Sequence, residues 1–349
     1  MFQERKTSTP LEKLGEFGII KYLTQDINYH QFSSIIGIGD DAAVLDFKEN
    51  KILVSTDLLI EGIHFNLAYT PLKHLGYKAV VVNISDIYAM NAKPTQITIS
   101  IAVSNKFSLE SLNEFYVGIK MACKHYKIDL IGGDTSSSNF GMIISMTAIG
   151  SAYQKDIVLR KGAAPNDLLV VSGDLGAAYL GLQILKREYE VFKTNPHIQP
   201  EYGGYEYVIQ RQLKPEAPNK ILSIFNTVDV KPSSMIDISD GLASEVLQIC
   251  DMNNLGCRLF EGKLPIDPQT QLACEDLQLN PSIAVLSGGE DYELLFSISL
   301  KDYEKIKYQD YFSVIGYMTY LEEGAKIITK EGQLVSITAQ GWDAFLKHA

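Results

Sequence analysis

The stretch Met235-Ile236-Asp237-Ile238-Ser239-Asp240-Gly241 packs a short apolar run, two acids, a serine and a glycine into seven residues. An apolar run near Met235 suits a strand, and the acidic, glycine-ended turn after it opens a helix predicted from Gly241. The same order recurs on either side. Leu168 to Ser172 reads as a strand with a helix from about Leu175, and Tyr292 to Ile298 as a further strand. Upstream, Lys51 to Thr56 and Thr95 to Ser104 are rich in β-branched residues. Thr70-Pro71 starts a helix to about Met90, a second helix spans Leu109 to His125, and Met142 to Gly150 reads as another strand. Thr9-Pro10-Leu11-Glu12 has the form of a capping box with proline at the first helical position, which predicts an opening helix. Alternation of this kind predicts two α/β domains, with the boundary in the polar step Tyr153 to Lys161, so that residues 1–152 and 153–349 form the two halves. Thr194 to Tyr205, holding Pro196, Pro200, Gly203 and Gly204, reads as a long loop, with a lid or partner contact as the alternative.

Length agrees with two domains, since 349 residues exceed what one core usually serves. With 46% hydrophobic and 21% charged residues the chain can fold, and a net charge of −11 speaks against a nucleic-acid partner and suits cation binding. The four cysteines, Cys123, Cys250, Cys257 and Cys274, form no C-x-x-C pair and are too sparse for a disulfide scaffold, as expected of thiols in a reducing cytosol. MFQERKTSTP lacks the apolar segment of a secretory signal, and no apolar run approaches the roughly 18 residues of a membrane span. The expectation is a soluble cytoplasmic protein.

Short clusters of Gly, Ser and Asp recur through both halves. Gly37-Ile38-Gly39-Asp40-Asp41-Ala42 precedes a strand, Ser55-Thr56-Asp57 is predicted to end one, and Asn83-Ile84-Ser85-Asp86 lies in a predicted helix. Gly132-Gly133-Asp134-Thr135, Asp237 to Gly241 and Ser287-Gly288-Gly289-Glu290-Asp291 complete the set. Mg2+ takes oxygen ligands, commonly one or two carboxylates together with substrate phosphates, so many aspartates imply more than one ion. Glycine beside an acid lets backbone N–H groups approach phosphate oxygens. Any one cluster could equally be a helix cap or a turn; their recurrence in two similarly built halves favours a shared metal and phosphate site. The Walker, protein-kinase, H-E-x-x-H and G-x-S-x-G patterns are absent. Gly37 to Ala42 does fit G-x-G-x-x-A, but it precedes a strand, and its aspartates would repel a pyrophosphate without cations.

Taken in order, GIGDDAAV, STDLLIEGIHF, NISDIYAM, IGGDTSSS, IDISDGL and SGGEDYELLF resemble the thiamine-monophosphate kinases, within the aminoimidazole-ribonucleotide-synthetase-like ATP-binding superfamily, from about Gly15 to Trp342. The resemblance implies a two-domain α/β fold of the α+β type, with mixed sheets flanked by helices and amino-terminal sheets joined across a homodimer. It implies transfer of the ATP γ-phosphoryl group to thiamine monophosphate with several Mg2+ ions. The amino-terminal domain would bind ATP and Mg2+ and carry the dimer contact, and the carboxyl-terminal domain would complete the nucleotide and substrate site. By matching position, Asp40, Asp41, Ser55, Thr56, Asp57, Asp86, Asp134, Asp237 and Asp240 are implied metal ligands. Tyr116, Gly133, Asp134, Arg160 and Ser239 are implied nucleotide contacts, and His64, Glu290 and Trp342 substrate contacts. Asp57, Asp134, Asp240 and Arg160 are the implied catalytic set. Bland alternatives stand beside these: core packing for Tyr116 and Trp342, a structural hydrogen bond for His64, a solvated charge for Arg160. A related cyclo-ligase and a non-catalytic MgATP-binding protein are the rival functions.

The chemistry implied is economical. A phosphate monoester is largely dianionic at neutral pH, so no general base is needed, and the difficulty is bringing two anions together. Thiamine's cationic ring suits an aromatic face and a carboxylate, the roles implied for Trp342 and Glu290.

Overall fold

The computed structural model describes residues 22–36 and 44–339. The predicted opening helix, the Gly37 to Ala42 cluster with Asp40 and Asp41, and Trp342 lie outside the described residues. The chain divides into two compact units, one of Met1–Ile87 with Lys93–Tyr153, the other of Tyr88–Ala92 with Gln154–Ala349.

In the first unit, β1 (Ser34–Ile36) and β2 (Val44–Leu45) form a small antiparallel pair. The main sheet comprises β3 (Lys51–Ile60), β4 (Lys93–Val103), β5 (Asp129–Ser137) and β6 (Ile143–Ala152), in the order β3-β6-β4-β5. β6 runs antiparallel to both neighbours, whereas β4 and β5 are parallel. Alternation sets the faces: Ile97, Ile99 and Ile101 of β4 stand opposite Ala148, Met146 and Ile144 of β6, all buried. Two 18-residue helices belong to this unit, α1 (Leu72–Ala89) and α2 (Leu109–Tyr126). Nearly every residue of α1 from Leu75 to Ala89 is buried or half-buried, which explains its weak amphipathic pattern. The helices cross with backbone almost in contact. A β-carbon on Gly76 would stand 2.0 Å from the Phe115 carbonyl oxygen, and one on Gly118 1.9 Å from that of Lys73.

Two clusters sit differently from expectation. Ser55-Thr56-Asp57 lies in the middle of β3, which continues to Ile60, and Gly132 to Thr135 lies inside β5. Both belong to pleated, hydrogen-bonded strands, so their neighbouring side chains point to opposite faces.

The second unit is built on a seven-stranded sheet in the order β13-β12-β9-β11-β7-β10-β8. Its strands are β7 (Leu168–Ser172), β8 (Ser234–Asp237), β9 (Leu255–Phe260), β10 (Leu294–Ile298), β11 (Phe312–Tyr320), β12 (Ala325–Ile328) and β13 (Leu334–Ser336). Only the β12–β9 pairing is parallel. Between strands come α3 (Ala177–Thr194), α4 (Glu206–Leu213), α5 (Ile221–Val228), α6 (Leu242–Asn253), α7 (Pro268–Leu277) and α8 (Pro281–Ser287). One core cluster holds Val171, Ile236, Leu242, Val246, Leu259 and Leu295; a second holds Ile184, Val208 and Ala273. Mixed sheets with flanking helices in both units are the fold class anticipated. All four cysteines are unpaired and buried.

Candidate active site

In the first unit the site begins with the seam between β3 and α1. The Asp57 N–H donates to Asn83 Oδ1 at 3.1 Å, and Asn83 Nδ2 donates to the Ala79 carbonyl at 3.0 Å, so one buried amide locks the strand to the helix. Asp86, three residues along, lies on the same helical face as Asn83 and accepts the Ser55 hydroxyl. Two carboxylates are thereby brought side by side. Asp57 Oδ2 is buried without a hydrogen-bond partner, and the carboxyl is pushed up to about 6, first by burial and then by the Asp86 charge.

Sheet register separates other candidates from this pair. Asp57, Met146, Ile99 and Gly133 lie in one row across the four strands, and Ser55 shares its face with Ala148 and Ile97. Thr56 and Asp134 occupy alternate rows and point to the opposite face, where Thr56 Oγ1 meets Thr147 Oγ1 at 2.8 Å. Asp134 accepts the Thr135 N–H at 2.8 Å. At Gly133 a β-carbon would stand 1.8 Å from the Ile99 carbonyl oxygen, so the parallel pairing itself requires glycine. Among the described residues, no group of three His, Cys, Asp or Glu side chains converges as a metal centre.

His64 Nδ1 accepts the Ile60 N–H at 3.1 Å, the structural bond expected as its bland alternative. Tyr116 is buried on α2, edge-on to Phe115 with 6.0 Å between ring centroids, and burial pushes its hydroxyl up to about 12. Those are a core residue's surroundings.

In the second unit two clusters meet. Past the paired ends of β8 and β10 the ladder continues through Ile238 N–H to the Glu293 carbonyl (2.7 Å), Tyr292 N–H to Ile238 (2.9 Å) and Glu290 N–H to Ser239 (2.7 Å). Asp237 is buried at the end of β8. The turn between the motifs is left-handed at Gly289 (φ +68), Glu290 (φ 61) and Tyr292 (φ 53). Non-glycine residues rarely hold this conformation, and here three backbone bonds hold it. A β-carbon on Gly289 would lie 2.5 Å from the Ser239 oxygen.

Glu245, in the first turn of α6, escaped the sequence reading. Buried, it accepts the Asp240 N–H at 3.1 Å, and its other oxygen has no hydrogen-bond partner. Burial, with the charges of Asp240 and Asp237 adding to it against two backbone N–H bonds, pushes this carboxyl up to about 8. An acid in a first helical turn was the available signal. Arg160 is exposed; its guanidinium donates to Gln248 Oε1 at 2.9 Å and its carbonyl accepts from Asn253 Nδ2 at 2.9 Å, which pins its loop onto α6. Glu290 Oε2 accepts Gln212 Nε2 at 2.7 Å.

The profile of the AIR synthase related protein, N-terminal domain, matches residues 39–152. The thiamine-monophosphate kinase of Bacillus subtilis (strain 168) is 32% identical over 341 residues, covering 95% of this chain and 100% of the relative. This chain belongs to the thiamine-monophosphate kinase family. The family's Aquifex aeolicus (strain VF5) member is 33% identical over 288 residues, 82% of this chain and 87% of its own. Among solved structures, AaThiL complexed with AMPPCP and TMP superposes with a TM-score of 0.75 at 29% identity, covering 99% of this chain and 100% of that one. The hydrogenase maturation protein HypE in complex with ATP superposes with a TM-score of 0.70 at 18% identity, covering 92% of this chain and 95% of its own, and shares the fold alone. As a thiamine-monophosphate kinase family member the chain is a phosphotransferase of thiamine biosynthesis that binds ATP. Membership in a kinase family separates it from the cyclo-ligase and non-catalytic alternatives.

Proposed function

We propose that this enzyme transfers the γ-phosphoryl group of ATP to the phosphate of thiamine monophosphate, giving thiamine diphosphate and ADP, in a Mg2+-dependent reaction. The observation that carries the metal requirement is the Asp57–Asp86 pair. Two adjacent carboxylates, one with a buried oxygen lacking any hydrogen-bond partner, form an electrostatically incomplete site that a hard cation completes. Asp57 and Asp86, with the Ser55 hydroxyl, would hold Mg2+ in the first unit. Asp237 and Asp240 are proposed ligands in the second, and Asp40 and Asp41 remain assigned by their motif. When bound, Mg2+ would neutralise phosphate charge. Thr56 and Asp134, on the other sheet face, are proposed to meet phosphate oxygens through a further ion.

The remaining roles fall to the chain's own groups. Gly133 is proposed to meet the nucleotide through its backbone, Ser239 through its hydroxyl, and Arg160 as a planar cation that pairs with phosphate. Tyr116 is proposed to border the adenine pocket from within the core. His64, Glu290 and Trp342 are proposed to contact the thiamine moiety, with Glu290 facing its positive ring. No side chain is required to remove a proton from the acceptor. Residues 1–152 are proposed as the ATP-, Mg2+- and dimer-forming domain, and 153–349 as the domain that completes the site. Ile52, Val54 and Leu58, exposed on one face of β3, support homodimer formation through that strand. A cytoplasmic location suits the four unpaired cysteines, and among the described residues no helix is long and apolar enough to cross a membrane.

Incubation with ATP, Mg2+ and thiamine monophosphate, followed by chromatography, tests the proposal. Thiamine diphosphate should accumulate only with enzyme and should disappear on chelation of Mg2+. ATP binding without product would refute the reaction, and undiminished product under chelation would refute the metal role.

A further inference from the structure

We propose that Gln212 is the positioning residue of the acceptor site: its side-chain amide fixes the Glu290 carboxylate in the orientation that receives a cationic nitrogen heterocycle. This rests on the reading of Glu290 as a thiamine contact. Gln212 comes from α4, 78 residues before Glu290, and carries no motif of its own. It is nevertheless only 6% exposed, so the direction of its buried amide is set by the chain around it. Its Nε2 donates to Glu290 Oε2 at 2.7 Å, a short bond to a charged acceptor.

Three features hold the amide in place. At Gly181 of α3, a β-carbon would stand 2.1 Å from the Val208 carbonyl oxygen and 2.9 Å from the Gln212 β-carbon, so α4 lies against bare backbone at that level. Arg211, the preceding residue, clamps the same helix. Its Nη2 donates to the Asp174 carbonyl at 2.9 Å, and the guanidinium lies 3.4 Å from Glu293 and 3.9 Å from Asp291. Asp291 in turn accepts the Gly176 N–H at 2.9 Å, and Glu293 accepts Tyr311 at 3.1 Å and the Ser172 hydroxyl. Helix and loop are therefore joined beside the Gln212–Glu290 bond through Arg211 with Asp291 and Glu293. The left-handed backbone of Glu290 sets where its side chain starts, and Gln212 sets where it ends.

The pairing selects a ligand chemistry. Because the primary amide is a neutral donor, it orients the carboxylate without cancelling its charge, which a lysine in that place would do. The negative charge stays available to a ring bearing positive charge or N–H donors. Loss of the amide should therefore weaken capture of the acceptor's ring and leave nucleotide binding and phosphoryl transfer nearly as they were.

The experiment is a double-mutant cycle on the full chain with steady-state kinetics for both substrates. Gln212→Met, which keeps the bulk and removes the donor, should raise KM for thiamine monophosphate about tenfold, the scale of one hydrogen bond to a charged group, with KM for ATP and kcat within about twofold. Gln212→Glu, isosteric but like-charged, should raise it further, and it carries the comparison should the methionine variant not fold. In a Glu290→Gln background either change should add little, since the charge being oriented is gone. Additive losses, or equal effects on both substrates, would overturn the inference while leaving the reaction untouched. If Glu290→Gln itself leaves KM for thiamine monophosphate unchanged, the substrate role of Glu290 and this inference fall together.

Discussion

Replacing Asp57 by asparagine should make the metal-free enzyme more stable and the working enzyme inactive. Asp57 has its carboxyl raised from 3.8 to about 6 by burial and by Asp86. At about 1.36 kcal/mol per pH unit, keeping it ionised at neutral pH costs the folded state up to about 3 kcal/mol. The sign follows from proton binding. Below pH 3.8 the group is protonated in both states and exacts no cost; the cost grows as pH rises and is complete above pH 6. Asparagine removes the charge and supplies an amide that can donate to Asp86. Urea denaturation in chelator should therefore show the Asp57→Asn variant more stable than the parent at pH 7, by an amount approaching that figure, with the gap closing near pH 4. Added Mg2+ should reverse the ranking by stabilising the parent, and turnover of the variant should fall by orders of magnitude. A variant less stable than the parent at pH 7 without metal, or one stabilised equally by Mg2+, would refute the account of this pair.

Glu245→Gln keeps the acceptor for the Asp240 N–H and removes a carboxyl held near 8. Its stability advantage in metal-free buffer should widen between pH 5 and pH 9, as denaturant midpoints would reveal. Gly133→Ala places a methyl 1.8 Å from the Ile99 oxygen and should cost more than about 3 kcal/mol or prevent folding, visible in the thermal midpoint. Lysine at both Val54 and Leu58 should turn the proposed dimer into monomer in light scattering while leaving the monomer folded, since both side chains are exposed on β3.

The strands legible in the sequence were those made of β-branched runs, such as Lys51 to Thr56 and Leu168 to Ser172, where composition alone favours a pleated, half-buried surface. β5 was not legible. Its sequence, DLIGGDTSS, reads as a turn, and it becomes a strand only because glycine lets it lie against Ile99 of β4. The acidic clusters could be seen, as could the helical setting of Asn83 to Asp86. Their division between two faces of a sheet could not, because it depends on the register of β3 and β5 against β6 and β4. Glu245 and Gln212 went unseen for a related reason: each acts on a neighbour through a bond that only the folded chain creates.

The nearly complete burial of α1 makes the enzyme intolerant of length change there. Inserting one residue ahead of Asn83 would swing Asp86 by about 100° around the helical axis and advance it by about 1.5 Å. A surface helix could recover by rolling back, but α1 is seated through Gly76 against the Phe115 carbonyl and can turn only by breaking that seat. Natural homologues should therefore vary in residue identity along this helix while keeping one fixed count between Gly76 and Asp86.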